Sequence, residues 1–259
     1  MNTVEFKDIK FHIQHKTLFN SRSGGKFRIV EYKKSDKVTV EFEDTGYTKI
    51  VQMSSIRLGN IKDRLRPSYS GVGILGDKYG CQVDGKICKE HLIWNLMIFR
   101  CYSIKNRLKN VNYNDCFVSE NFKYYPYFYE WCNKQVGFNS EDFELDKDLL
   151  IKGNREYGED TCVFIPREIN VMLTKSDKTR GDLPIGVHFD KRRGKYIAQM
   201  NRGTGVRKFL GSFESSEEAF NCYKVNKESY IKELAEKWKD AIDPRAYDAL
   251  MNYEVEIDD

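Results

Sequence analysis

The chain has 259 residues, of which 32% are charged and 14% are aromatic, and its formal net charge is +4. This composition excludes a largely disordered chain, because its bulky apolar side chains are numerous enough to form hydrophobic cores. No apolar run reaches the roughly 18 residues that a membrane span needs, and the N-terminus lacks a signal-peptide pattern, which predicts a cytosolic protein without a membrane partner.

The first part of the chain predicts a small β domain. Residues 1–24 form an N-terminal segment that ends in a Ser-Gly break, and from residue 25 apolar and polar residues alternate, as in Val38, Val40 and Phe42. The alternation continues through Met53. Short strands joined by tight turns predict an SH3-like sheet or barrel, followed by a Gly-rich linker, over residues 25–76.

After the linker, the apolar residues recur with helical spacing. Apolar residues around Trp94 form a wide stripe that predicts a helix over Lys89 to Tyr102, and a second helix is predicted over Phe122 to Cys132. We expect the aromatic residues of the second helix to pack against the core and not to stack on bases. With the stretch that follows, these helices define a central domain over residues 77–174.

The stretch of residues 144–173 contains hard oxygen ligands in a strand, turn, strand and helix pattern. Leu145-Asp146-Lys147-Asp148 precedes a Gly153-Asn154 turn, an apolar strand at Cys162 to Ile165 and a helix opened by Pro166 that carries Asn170. A carboxylate on the first strand and an Asn on the helix are suited to one divalent cation, Mg²⁺ or Mn²⁺. A second interpretation is a hairpin and helix stabilised by an Asp-Lys ion pair and a turn Asn.

The seven cysteines are odd in number and irregularly spaced. This predicts buried free thiols in a reducing compartment. Cys81 and Cys88 flank Gly85, but no second pair with ligand spacing accompanies them, so we expect no zinc.

The central stretch resembles the ββα-metal (HNH) nuclease core found in phage genomes. Trp94, Met97 and the string Arg100-Cys101-Tyr102 resemble the signature that precedes the core in that family. The resemblance implies that Arg100 holds a phosphate and that Asp146 and Lys147 take part in catalysis. It also implies a metal held by Asp146, Asp148 and Asn170.

Two positions depart from the family pattern. Lys147 stands where the family has its general-base histidine, and Thr161 stands where it has its central Asn. A lysine that is mostly protonated at neutral pH cannot take a proton from water unless burial lowers its pKa. Two alternatives stay open: a metal-dependent endonuclease, or a nuclease-inactive DNA-binding regulator or inhibitor of host DNA enzymes.

The C-terminal part predicts a three-stranded antiparallel sheet packed on one helix. After a polar linker at residues 175–182, strand patterns are separated by turns at Arg193-Gly194 and Gly203-Thr204-Gly205. A helix begins near Ser215, which has the capping-box spacing with Glu218. Ten basic residues stand against three acidic ones between Lys175 and Lys208. The helix covers one face of the sheet in this prediction and leaves the other face free.

This segment, residues 183–259 with an acidic tail, resembles an AP2/integrase-type DNA-binding domain. The resemblance rests on Gly186-Val187, Tyr196-Ile197-Ala198, Leu210-Gly211-Ser212-Phe213 and Glu218-Ala219. It implies that exposed side chains of the sheet contact double-stranded DNA in the major groove. The candidate DNA-binding residues are Lys191, Arg192, Arg193, Lys195, Tyr196, Gln199, Asn201, Arg202, Arg207 and Lys208.

Together these patterns predict an α+β protein of phage type that binds DNA in the cytoplasm of a bacterial host. Whether the protein cleaves DNA depends on whether catalysis is possible with Lys147 and Thr161 in place of the histidine and asparagine of the family pattern. The sequence predicts neither an oligomeric state nor a protein partner.

Overall fold

The computed structural model describes residues 9–110, 113–174, 182–202 and 207–257. The chain is an α+β protein whose two larger sheets are antiparallel. It divides into two compact units, one of Met1–Asn114 with Glu120–Tyr129 and one of Asp115–Ser119 with Glu130–Asp259. The second half of the predicted central domain therefore lies in one unit with the C-terminal residues.

The first unit begins with a four-stranded antiparallel sheet in chain order. Its elements are α1 (Ile9–Gln14), β1 (Leu18–Asn20), β2 (Lys26–Lys34), β3 (Lys37–Phe42), β4 (Thr48–Val51) and α2 (Met53–Leu58). The alternating residues of β3 are buried as expected, together with Phe19 and Phe27. Phe19 comes from the predicted N-terminal segment, which thus contributes to the sheet and its core.

One expectation for this region was wrong. The strand pattern was predicted to continue through Met53, but β4 ends at Val51 and Met53 begins α2. The helix buries Met53 and Ile56, which are three residues apart, and it ends at Gly59 in the left-handed conformation. The i, i+3 spacing of the buried pair is helical, and it outweighs the short continuation of the alternation.

The rest of the first unit consists of an irregular segment, one short hairpin and several helices. It contains β5 (Gln82–Val83), β6 (Lys86–Ile87), α3 (Lys89–Tyr102), α4 (Ile104–Arg107) and, following β7 (Phe117–Val118) of the second unit, α5 (Glu120–Lys123) and the start of α6 (Tyr125–Cys132), whose last three residues belong to the second unit. α3 has the predicted bounds. The second predicted helix is divided at Tyr124, and its residues Phe122, Tyr125 and Phe128 are fully buried, which confirms their packing role.

The second unit contains a hairpin followed by a helix. β8 (Phe143–Asp146) pairs antiparallel with β10 (Val163–Pro166), and α7 (Arg167–Leu173) begins directly after β10. Between them, β9 (Glu156–Tyr157) pairs in parallel with β7. Neither β7 nor β9 was predicted, because two-residue strands carry no periodicity.

The C-terminal part of this unit is a three-stranded antiparallel sheet and two helices. The elements are β11 (Val187–Asp190), β12 (Lys195–Asn201), β13 (Arg207–Phe213), α8 (Ser216–Trp238) and α9 (Pro244–Met251), with strand order β11, β12, β13. The predicted turn at Gly203-Thr204-Gly205 and most of the predicted linker lie outside the described residues.

The start of α8 confirms the predicted capping box. The Ser215 side chain accepts the N–H of Glu218, and the Glu218 carboxylate accepts the N–H of Ser215. α8 also packs closely on the start of the sheet at Gly186, where φ is +78° and a Cβ would lie 2.1 Å from the Tyr223 ring. Only glycine fits this position without displacing Tyr223.

A carboxylate of α7 connects it to α8. Glu168 accepts hydrogen bonds from the Lys237 ammonium and, at 3.1 Å, from the indole N–H of Trp238. The lysine contact, followed by the indole contact, holds the pKa of Glu168 below its usual value. The Trp238 ring packs edge-on against Phe143 of β8 at 5.8 Å between centroids. The β8–β10 hairpin, α7 and α8 are therefore packed together.

Candidate functional site

The predicted metal-binding stretch has the expected order of elements. Asp146 is the last residue of β8 and lies opposite Val163 of β10. Asn170 lies in the middle of α7. A metal ion here would need oxygen atoms that are directed at a common point.

Asp146 uses its carboxylate to close the turn after β8. Its Oδ1 accepts the backbone N–H groups of Asp148 at 2.8 Å and of Leu149 at 2.7 Å. Burial raises the pKa of this carboxyl, although the two backbone donors favour its charged form. One oxygen of the predicted ligand is therefore committed to the backbone.

Lys147 is buried and has two hydrogen-bond acceptors. Its ammonium donates to Asp148 Oδ1 at 2.5 Å and to the backbone carbonyl of Asn154 at 2.9 Å. The Asn154 side chain donates in turn to the Lys147 carbonyl at 2.7 Å. These contacts are the ion pair and the turn Asn of the second interpretation, which they confirm. They give Lys147 a structural role and provide no geometric support for a general base.

Asn170 and Thr161, the other two positions of the predicted nuclease pattern, are also engaged in local contacts. The Asn170 amide donates to Glu144 Oε2 at 2.6 Å. The Thr161 hydroxyl donates to the Glu156 carbonyl at 2.9 Å and accepts the N–H of Gly158 at 3.0 Å, which fixes the loop before β10. The sequence did not point to Glu144, although it lies two residues before Asp146 and so on the same side of β8.

Arg100 belongs to the other compact unit. It lies in the last turn of α3, is exposed, and its guanidinium is 5.9 Å from the centre of the Tyr113 ring. Its predicted contact with a scissile phosphate stays a prediction.

As placed, the predicted ligands do not fit a divalent cation. Asp146 binds two backbone groups, Asp148 is paired with an ammonium, and Asn170 directs its amide at a carboxylate. A cation needs several oxygens converging on one point at about 2.0–2.6 Å. Within the described ranges, no group of three or more His, Cys, Asp and Glu side chains is arranged to hold a metal. We therefore assign no metal-dependent step to these residues.

The C-terminal sheet has two distinct faces. On β12, Ala198 and Met200 are buried, and Gln199 between them points to the opposite side. The next residue on the Met200 side is Arg202, whose guanidinium lies 4.6 Å from the Tyr230 ring of α8. This contact identifies the face of Ala198, Met200 and Arg202 as the one that α8 covers.

The opposite face, which we call the open face, carries Lys195, Gln199, Arg207 and Phe209. Gln199 pairs directly with Phe209 across the strands, and Arg207 is two residues before Phe209. Arg207 and Phe209 are exposed, whereas Lys195 is half-buried and contacts the Glu214 carboxylate. Ile197 also lies on this face but is buried. The face is thus mixed, with cationic, amide and apolar groups.

The turn between β11 and β12 projects three cations, which we call the cationic turn: Lys191, Arg192 and Arg193 are all exposed. Asp190 Oδ1 accepts the N–H groups of Arg192 at 2.9 Å and of Arg193 at 3.4 Å. The hydrogen bond from the Arg192 N–H contributes most to holding the pKa of Asp190 below its usual value. This arrangement orders the backbone of the turn while its long side chains extend into solvent.

Two of the predicted DNA-binding residues do not lie on the open face, and whether they contact DNA stays a prediction. Arg202 and Tyr196 lie on the side of the sheet that α8 covers; the Arg202 Nε is buried without a hydrogen-bond partner among the described residues, and the Tyr196 ring is 5.0 Å from that of Phe189. Side chains alternate between the two faces of a strand. Tyr196 and Arg202 lie two and four residues from the buried Ala198, so they point to the same side as Ala198. Lys208 pairs with Met200 across the strands but is exposed.

Sequence reasoning missed Phe209. A β-bulge interrupts the ladder, since Ala198 pairs with Gly211 whereas Gln199 pairs with Phe209, which leaves Leu210 unpaired. Two residues of β13 that are two apart therefore point to opposite faces. The only sequence signal for its exposure is that Phe209 follows the polar residues Arg207 and Lys208. Alternation alone does not show which face of the sheet Phe209 occupies.

Comparisons with family models, with curated proteins and with solved structures each give no match for this chain. In the part of the chain that the structure describes, every helix is too short or too polar to cross a bilayer.

Proposed function

We propose that the chain binds double-stranded DNA through the open face and the cationic turn. The observation that carries this proposal is the two-sided sheet, which is packed against α8 on one side and presents Lys195, Gln199 and Arg207 on the other. Amide and guanidinium groups on a rigid strand are the groups that read base edges.

The dimensions of the sheet suit the major groove. Neighbouring strands are about 4.8 Å apart, so three strands span roughly 10 Å between the outer backbones. The major groove of B-form DNA is about 12 Å wide and admits a narrow β element. α8 lies on the far side of the sheet, where it leaves the groove-facing surface accessible.

The cationic turn provides the phosphate contacts in this proposal. Lys191, Arg192 and Arg193 are adjacent and exposed. Asp190 accepts two backbone N–H groups of the turn and lies 3.7 Å from the Arg193 guanidinium. Neutralising phosphates releases counterions, so binding weakens steeply as salt concentration rises.

We assign the central hairpin and helix to a supporting role within the same proposal. The order of β8, β10 and α7 supports a ββα-metal-type scaffold, and the sheet of β1 to β4 supports an SH3-like domain. The contacts of Lys147 and Asn170 favour the nuclease-inactive alternative, in which the protein acts by occupying DNA. The cleaving alternative requires Asn170 to turn away from Glu144.

Charge reversal in the cationic turn tests the proposal. Anisotropy of a labelled duplex is measured with the wild type and with Arg192→Glu/Arg193→Glu at low ionic strength. The matched control is Lys33→Glu/Lys34→Glu, which changes the net charge equally at two exposed residues of β2. We expect the turn variant to lose at least about tenfold in affinity, because two phosphate contacts become repulsive.

Two results would contradict the proposal. One is a wild-type protein that ignores duplex DNA at low ionic strength. The other is an equal loss in the turn variant and the control, which would mean that only net charge matters.

A further inference from the structure

Phe209 is the most exposed aromatic side chain among the described residues, with 59% of its surface accessible. It stands on a strand and not on a loop tip, and its neighbours on the open face are Gln199 and Arg207. A large apolar side chain in solvent is unfavourable relative to a buried one, and a polar residue would be the ordinary choice here. The exposure of Phe209 therefore suggests a contact with another molecule, since the described residues leave the ring largely uncovered.

The β-bulge at Leu210 is what exposes this ring. Gly211 pairs with the buried Ala198, so an unbroken ladder would direct Phe209 to the same covered face as Gly211. The extra residue reverses the direction and places Phe209 beside Gln199 on the open face. Bulges commonly re-aim one side chain in this way beside functional sites.

Gln199 and Phe209 have complementary chemistry for one kind of base pair. Directly paired residues on neighbouring strands have Cβ atoms about 4.5–5.5 Å apart, so the amide and the ring reach the same or adjacent base pairs. A glutamine amide binds adenine N6 and N7 in the major groove, and an apolar side chain contacts the 5-methyl group of thymine. A guanine–cytosine pair has no adenine N6 amino group and no thymine methyl group, so it cannot make these two contacts.

We infer that Gln199 and Phe209 form an A·T-reading pair, in which Phe209 recognises the thymine methyl group. This inference rests on the proposed DNA-binding function and adds a preference for A·T over G·C pairs and for thymine over uracil. Arg207, two residues along the same face, contacts the flanking phosphate or base edge.

The test compares short duplexes of alternating A-T, A-U and G-C sequence. Deoxyuridine lacks only the methyl group, so the ratio of A-T to A-U affinity reports the proposed contact. We expect the wild type to bind A-T about fourfold more tightly than A-U, the effect of burying one methyl group. Phe209→Ala is expected to bind both duplexes equally, and Phe209→Leu to keep part of the ratio. Gln199→Ala is expected to lose most of the preference for A-T over G-C.

Phe189→Ala is the matched control, because Phe189 is also exposed but lies on the other face of the sheet. It is expected to retain the wild-type ratio of A-T to A-U affinity. Circular dichroism verifies that each variant is folded.

Equal wild-type affinity for A-T and A-U overturns the inference while leaving DNA binding intact. A ratio that persists in Phe209→Ala also overturns it, because the methyl preference then comes from elsewhere. Loss of a protein-protein contact in Phe209→Ala, seen as a change in oligomeric state with an unchanged ratio, assigns the ring to another chain. If the wild type binds no duplex at low salt, the proposed DNA-binding function itself is contradicted.

Discussion

Lys147 and Asn154 hold each other through two hydrogen bonds that run in opposite directions across the loop between β8 and β9. The Lys147 ammonium donates to the Asn154 carbonyl at 2.9 Å, and the Asn154 amide donates to the Lys147 carbonyl at 2.7 Å. Asn154 also donates to the Glu156 carbonyl at 2.7 Å and accepts the Glu156 N–H at 3.1 Å. Lys147, at the position where the nuclease resemblance predicts a histidine, thus closes a loop.

Removing the Asn154 amide tests this role. Asn154→Ala leaves the carbonyls of Lys147 and Glu156 without their partner, and we expect a loss of about 2–3 kcal/mol in the free energy of unfolding. The measurement is chemical denaturation followed by circular dichroism. Asn252→Ala is the control, because that exposed amide makes a single bond to the Asp248 carbonyl, and we expect a change of less than about 0.5 kcal/mol. Similar losses in both variants would remove the special role of Asn154.

The raised pKa of Asp146 predicts a pH-dependent effect on stability. Because burial disfavours its charged form, the carboxylate costs stability once the pH rises through the interval between its ordinary value near 4 and its raised folded value. Asp146→Asn keeps the oxygen that accepts the two N–H groups and removes the charge. We therefore expect the variant to be more stable than the wild type at neutral pH and equal to it at acidic pH, measured by thermal unfolding.

Asp190→Asn is the control for this experiment, since its carboxylate makes the same type of turn contact but has a lowered pKa. Its stabilising contribution is present above its ordinary pKa and is lost as the pH falls. The variant should consequently be no more stable than the wild type at neutral pH. A destabilising effect of Asp146→Asn at neutral pH would mean that the charge itself is needed.

Two arginines that the sequence did not separate should behave differently. Arg207 is exposed on the open face, whereas Arg202 lies against the Tyr230 ring. We expect Arg207→Ala to weaken duplex binding about tenfold with little change in thermal stability. Arg202→Ala should lower stability by about 1–2 kcal/mol and leave duplex affinity close to that of the wild type, because a cation–π contact is lost. The reverse pattern would invalidate the assignment of the faces.

The capping box of α8 gives a stability prediction independent of DNA. Ser215→Ala removes the acceptor for the Glu218 N–H, and a loss of about 1 kcal/mol is expected in the free energy of unfolding. Ser216→Ala serves as the control, because Ser216 is the first helical residue and not the cap. Equal melting temperatures for Ser215→Ala and the wild type would show that α8 is held by packing alone.

Divalent ions test the predicted metal site directly. The contacts of Asp146, Asp148 and Asn170 lead us to expect no nicking of supercoiled DNA in Mg²⁺ or Mn²⁺, and no change in melting temperature on addition of EDTA. Asp146→Ala is run in parallel with the wild type. Nicking that depends on the divalent ion and disappears in Asp146→Ala would contradict this expectation and favour the endonuclease.

Much of the framework was predictable because its signals are local. The stripe around Trp94 gave the bounds of α3, and the spacing of Ser215 and Glu218 gave the start of α8. The three C-terminal strands followed from turn residues and alternation. Such features depend on a few neighbouring residues, so tertiary contacts seldom override them.

The parts that were missed depend on contacts distant in sequence. Strands β7 and β9 are defined only by their pairing with each other, and the paired residues are 39 positions apart in the sequence. Whether Arg202 points to α8 or to solvent depends on Tyr230, which lies in a different element. The role of Lys147 likewise depends on Asn154, which the sequence suggested only as a turn residue.

The unpaired Leu210 has an implication for how related chains are compared. Deleting this one residue would remove the bulge and keep Phe209 opposite Gln199, so the ring would still face outward. A one-residue alignment gap at this point would therefore be compatible with an unchanged open face, although it shortens the strand.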